Sequence, residues 1–130
     1  MIVLDTHAWI WWSADRDRLS TVARAAIDDA AEIGISAISA WEVAMLAERE
    51  RIALDRPVAS WVRQALTADP RTVEVPLTAS IALQAVALGA EGMHADPADR
   101  FILASARHLG AALVTKDRAL RAHDPARTVW

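Results

Sequence analysis

Four carboxylates in this sequence, Asp5, Glu42, Asp99 and Asp117, stand where packing alone makes poor use of a charge. Asp5 ends the aliphatic run Ile2-Val3-Leu4, and a charge closing such a run rarely helps a core. Asp117 follows the apolar run 111–114 across Thr115 and Lys116. Asp99 falls in the first turn of a helix opened by Asp96 and Pro97, and Glu42 in the first turn of one opened by Ser39. Each has a local alternative. Glu42 can close a capping box with Ser39. Asp96 suits an N-cap ahead of Pro97, Asp99 can complement a helix dipole, and Asp117 can cap a short helix. Brought together, such carboxylates repel one another, and their pKa values rise unless a cation offsets the charge. Hard oxygen ligands in a chain without cysteine favour Mg²⁺ or Mn²⁺ over Zn²⁺. A cation of that kind activates water towards a phosphodiester and stabilises the leaving oxygen.

Whether the acids meet depends on the elements that carry them. Residues 2–4 read as a central strand. Residues 6–14 are too rich in tryptophan for a polar loop and form a short helix or a partly buried turn; 15–19 are loop-like. Ser20 caps a helix of about eleven residues with Val22, Ala23, Ala26, Ile27 and Ala30 on one face. Residues 33–35 form a second strand. Residues 39–51 form a helix with Val43, Leu46 and Ala47 inward and 48–51 solvated. Pro57 opens a further helix through Leu66 that carries Trp61, and Asp69-Pro70 breaks it. Residues 72–75 alternate like a strand, Thr78 starts an apolar helix to about Leu88, and 89–92 form a loop. From Pro97 a helix runs with Phe101, Ile102, Ala104, Ala106 and Leu109 on a broad apolar face, and Gly110 stops it. Residues 111–114 are a buried strand, 118–123 a short helix and 128–130 a final edge strand.

Strands that lack polar alternation, interleaved with helices, predict an α/β fold: a three-layer α/β/α sandwich with a mostly parallel central sheet. In such sheets ligands bind beyond the carboxyl ends of the strands. All four acids fall at that edge.

Composition narrows the field. At 130 residues the chain is expected to form one domain, 1–130, with a real core. No apolar run approaches the ~20 residues of a membrane span. The start MIVLD lacks a basic region and meets an acid at position 5, so no secretory signal is expected and the cytoplasm is the default. Without cysteine there is neither a disulfide framework nor a thiolate metal site. A net charge of −3 argues against nucleic-acid binding through bulk charge, yet leaves room for a nuclease with locally placed cations.

Taken together, MIVLDTHAWIWW, ISAISAWEVAML, HADPADRFILASA and ALVTKD resemble PIN-domain ribonucleases, most closely the VapC-type toxins of bacterial toxin–antitoxin pairs. The resemblance covers essentially the whole chain, with the acids in the family's order and approximate spacing. It maps Asp5, Glu42, Asp99 and Asp117 onto an acidic metal-binding quartet and makes Asp96, in the DPxDR variant of the motif, auxiliary. Thr6 and Thr115 match small hydroxyl positions beside the acids, where a hydroxyl orients a carboxylate or a bound water. By the same resemblance the activity is metal-dependent endonucleolytic cleavage of RNA, leaving a 5′-phosphate and a 3′-hydroxyl. The implied partners are a cognate antitoxin that blocks the site with a basic side chain, and a second copy of the chain.

Several further residues have two readings. Arg100 leaves its helix about 100° from Asp99; it either binds an RNA phosphate or pairs with a carboxylate, the ion pair being slightly favoured. Lys116 is solvated or touches phosphate. His7 and His94 are structural, solvent-facing or in contact with RNA. Trp9, Trp11 and Trp12 diverge around a helix, so at least one is expected to meet a partner surface, with Trp11, Trp12 and Trp61 as the nominees; stacking on an RNA base is the lesser option. Two other functions compete with the nuclease. One is a non-catalytic PIN-like interaction module whose acids serve as caps. The other is an aspartyl-nucleophile phosphohydrolase, weakened because position 7 is His where a DxD pattern wants a second acid.

Overall fold

The computed structural model describes residues 1–93 and 96–130; His94 lies outside the described residues. Five strands, β1 (Ile2–Leu4), β2 (Ile33–Ser36), β3 (Thr72–Val75), β4 (Ala112–Val114) and β5 (Thr128–Val129), lie in the order β3-β2-β1-β4-β5. Every neighbouring pair is parallel. Parallel neighbours require crossovers, and helices supply them. These are α1 (Thr6–Ala14), α2 (Thr21–Asp29), α3 (Ala37–Glu48), α4 (Val58–Thr67), α5 (Ala79–Ala90), α6 (Pro97–His108) and α7 (Arg118–His123).

Helices cover both faces of the sheet, which is why its strands carry no polar alternation. On one face Leu4, Ile33, Ile35 and Val114 pack with Trp9, Ile27, Val43 and Trp61 of α1, α2, α3 and α4. On the other, Val3, Val75 and Leu113 pack with Ile81, Leu88, Ile102, Leu103 and Leu120 of α5, α6 and α7. The α/β sandwich expected from the sequence therefore forms, with β1 at its centre and both helix layers closed. Among the described residues no helix is long and apolar enough to cross a membrane.

Several local expectations fail. α3 begins at Ala37, capped by Ser36, whose hydroxyl accepts from the Ile38 amide at 3.3 Å. The strand runs straight into the helix, so Ser39 lies inside it, there is no capping box, and Glu42 sits in the second turn. α5 continues to Ala90 and absorbs Gly89, so the turn begins later, with Gly92 at φ 91°. α2 is nine residues long, and Val22, expected on its inner face, is 58% exposed.

The tryptophans also divide differently. Trp9, Trp12 and Trp61 are buried in the α1-side core, with Trp9 and Trp61 in edge contact at 5.3 Å. Trp11 is half-buried. Trp41, which was not singled out, is 53% exposed on α3.

Candidate active site

Asp5 ends β1 and starts α1 in a single residue. Its amide donates to the Val114 carbonyl at 3.0 Å, which continues the β1–β4 pairing. Its Oδ1 accepts from the Ala8 amide at 2.7 Å, which caps α1. The side chain is buried, and burial raises its pKa to about 6; the Thr115 hydroxyl, the Ala8 amide and the His7 charge pull it back only in part, and Glu42 adds repulsion.

Thr6 and Thr115, the small hydroxyl positions, are both buried. Thr6 Oγ1 donates to Ser39 Oγ at 3.1 Å, joining the first turn of α1 to α3. Thr115 Oγ1 accepts from the Asp117 amide at 3.0 Å and fixes the bend after β4. Asp117 itself is exposed and caps α7 through the Leu120 amide at 2.9 Å. Asp96 caps α6, with Oδ1 accepting from the Ala98 amide at 3.0 Å and Pro97 in the first turn. That cap aims Asp99, in the same first turn, at the carboxyl edge of the sheet.

Asp99 is where the four acids meet electrostatically. Its pKa is raised to about 7, first by burial and then by the negative charges of Glu42, Asp117, Asp5 and Asp96. Three stretches distant in sequence, those of Glu42, Asp117 and Asp5, thus crowd one half-buried carboxyl. Among the described residues none of the quartet takes part in an ion pair, and no three acids or histidines close into a ligand set. Asp5 and Asp117 instead accept from the backbone amides of Ala8 and Leu120. The donors are all oxygen and the net charge is negative, so the residues suit a hard divalent cation.

The remaining expectations fare unevenly. Arg100 makes no ion pair among the described residues, contrary to the slightly favoured reading. Its Nε is buried and has no partner among the described residues, and its guanidinium lies across α5, where a Cβ on Gly89 would come within 2.8 Å of Nη1. Lys116 is exposed, with Nζ 5.8 Å from the Trp11 ring, and exposed His7 stands 5.8 Å from the same ring. Ser39 was read as a cap and is instead the buried hydroxyl facing Thr6. Its signal was present in ISAIS, which offers two serines for one cap. A cavity of about 590 Å³ lies away from the acids and is lined by Trp12, Leu54, Trp61 and Ala65 with Arg16 and Asp69.

Comparison with known proteins places the chain in a family. Residues 2–124 match the PIN domain family. Over 131 aligned residues the chain is 50% identical to Ribonuclease VapC22 of Mycobacterium tuberculosis (strain ATCC 25618 / H37Rv), covering 99% of this chain and 98% of that protein. Its fold is similar to that in a toxin–antitoxin complex from Klebsiella pneumoniae, with TM-score 0.72, 24% identity and coverage of 100% of this chain and 97% of that one. It is also similar to VapBC2 from Rickettsia felis bound to a DNA fragment from its promoter, with TM-score 0.65, 18% identity and coverage of 94% and 92%. Likeness at those identities concerns the fold alone. With a family match over nearly the whole length and a relative at half identity, the chain is a member of the PIN domain family.

Proposed function

We propose that this PIN domain, a single unit over residues 1–130, is a metal-dependent endoribonuclease and the toxin of a toxin–antitoxin pair, acting in the cytoplasm. The observation that carries this reading is Asp99, raised to about 7 with Glu42, Asp117 and Asp5 among the causes. A ribonuclease covered over 98% of its length is half identical to this chain, which supports the same reading.

In this reading Asp5, Glu42, Asp99 and Asp117 would hold Mg²⁺ or Mn²⁺, which when bound would offset their charge and supply an activated water for phosphodiester hydrolysis. Asp5 is pre-positioned by its hydrogen bond to the Ala8 amide, and Thr115 sets the turn that presents Asp117. Thr6 keeps the Glu42 helix in register with Asp5. Asp96 acts through the cap that orients Asp99. Arg100 and Lys116, each adjoining an acid of the quartet in sequence, contact RNA phosphates.

The antitoxin supplies a basic side chain to acids that lack a cation, and the cavity beside Trp12 and Trp61 offers apolar surface for the rest of it. A homodimer is supported by Leu83 and Val86, 73% and 71% exposed one turn apart on α5. Leu83→Glu should then give a monomer in sedimentation.

The deciding experiment is cleavage of a structured RNA with and without Mg²⁺ or Mn²⁺ by wild type, Asp5→Asn and Asp99→Asn. Only the wild type with metal should cut. Equal cleavage by all three proteins would remove these residues from the site. Inactivity of the wild type with antitoxin binding intact would favour the interaction module. Turnover of a small phosphate ester through a trapped aspartyl phosphate would favour the phosphohydrolase.

A further inference from the structure

A second group of side chains shares the carboxyl edge of the sheet with the acids. Trp11 of α1 and Trp130, just past β5, stand 5.7 Å apart between ring centroids at 59°. Arg18 Cζ lies 4.8 Å from the Trp11 ring centroid and Lys116 Nζ 5.8 Å, while His7 stands 5.8 Å away at 51°. Three other stretches of chain, with His7 one turn earlier on the same helix, converge on one half-buried indole. The two cations are exposed and, among the described residues, join no ion pair, although the protein carries a net negative charge. Lys116 is the chain's one lysine. Both indoles rest partly against the α1-side core, whereas the exposed cations beside them stabilise the fold only slightly, so folding explains little of the cations' presence.

Its position suggests its use. Lys116 adjoins Asp117, and His7 lies close enough to Asp5 for its charge to act on that carboxyl. β5 is the edge strand next to β4, so Trp130 continues the acid-bearing edge outward. A polyanion held at the acids meets repulsion there and needs cations beside them, together with flat apolar surface for its bases.

We propose that Trp11, Trp130, Lys116 and Arg18 form a nucleotide platform on the β5 side of the acid site, stacking an unpaired base of single-stranded RNA on the indoles while Lys116 and Arg18 hold its flanking phosphates. The proposal rests on the ribonuclease reading above and deepens it: the substrate is unpaired where it is cut, and one flank is read through an aromatic face. Stacking tolerates any base, so the platform selects for single-strandedness and base presence more than for sequence.

The test measures binding of a labelled single-stranded oligoribonucleotide to the full chain in EDTA, where cleavage plays no part. Trp11→Leu should weaken binding by roughly 5- to 100-fold and Trp11→Phe by much less. Lys116→Ala and Arg18→Ala should each flatten the salt dependence of log Kd by about 0.7. Arg63→Ala, which removes an exposed arginine of α4, should match wild type. One abasic nucleotide in the RNA should weaken wild type and cost Trp11→Leu little more.

Binding by Trp11→Leu, Lys116→Ala and Arg18→Ala within about twofold of wild type, with no abasic effect, would overturn the platform. So would unchanged RNA binding alongside loss of antitoxin binding, which would make the group a protein contact. If Trp11→Leu does not fold, the two exposed cations and the abasic RNA still decide. Because binding is read without metal, a wild type that binds as described but never cleaves would sink the ribonuclease reading and leave the platform standing.

Discussion

The hydroxyl of Thr6 donates to that of Ser39 across 3.1 Å, at a point where both side chains are sealed from solvent. This bond ties the helix that begins at Asp5 to the helix that carries Glu42. Removing the acceptor with Ser39→Ala leaves a buried donor unpaired, which costs about 1–3 kcal/mol. Thr6→Val combined with Ser39→Ala should cost less than the two single changes added together, because the second loses a partner already gone. Urea unfolding of the four proteins measures the coupling. Additive losses would show that the contact carries no coupling.

Asp5 has two tasks that substitution can separate. Asparagine is as good an N-cap as aspartate, whereas alanine is not. Asp5→Asn should therefore abolish cleavage and leave stability at neutral pH equal to or above wild type, since a buried carboxyl pushed up to about 6 has been removed. Asp5→Ala should lose about 1 kcal/mol relative to Asp5→Asn through the cap. Thermal unfolding alongside an RNA cleavage assay checks both halves.

The metal-free protein should grow less stable as the pH rises. Asp99 at about 7 and Asp5 at about 6 both lie above the ordinary value of 3.8. The folded chain thus holds these protons more tightly than the unfolded one. The stability they contribute is complete below about pH 4 and is lost as the pH passes through 6 and 7. Asp69 and Glu91, lowered by Arg71 and Arg107, act in the opposite sense, so the useful quantity is a difference between proteins. In EDTA at about pH 8, Asp99→Asn should exceed wild type by on the order of 1–3 kcal/mol after allowance for partial exposure, and the gap should close towards pH 4. A gap that widens on acidification would contradict the cause assigned to Asp99. Saturating Mg²⁺ should narrow it at pH 8, since ionised acids are then stabilised by the cation.

Gly89 makes room for Arg100. Within a helix, Gly→Ala ordinarily gains close to 1 kcal/mol, but here the new Cβ would meet the guanidinium at 2.8 Å. Gly89→Ala should gain less than that in the wild type and the full amount in an Arg100→Ala background. The Arg100→Ala protein should also bind RNA more weakly. A thermal-shift cycle over the four proteins reads the interaction.

Much of this arrangement is legible in the residues. The aliphatic runs at 2–4, 33–35 and 111–114 become neighbouring parallel strands because no polar alternation spoils either face. Asp96-Pro97 becomes a helix start, as its local chemistry demands. What local chemistry cannot settle is a choice between equivalents. Ser36 and Ser39 both suit the cap of α3, and the pairing of β2 decides for Ser36 by carrying the strand up to it. Likewise nothing short-range says that Trp12 and Trp61 fill the core while Trp41 stays outside. That division depends on which helices pack across the sheet. Asp5 reads as functional in the sequence, but its role as the cap of α1 emerges only because the helix starts at the next residue.

The centre of the sheet pairs residues made early with residues made much later: Ile2 lies opposite Ile33 on one side and Ala112 on the other. Asp5 and Glu42 leave the ribosome long before Asp99 and Asp117, and β1 remains open on one flank until β4 arrives. A growing chain therefore carries half the acids on an unfinished sheet. On the proposed activity, catalysis begins only after synthesis has passed Asp117 and β4 has closed the open flank of β1.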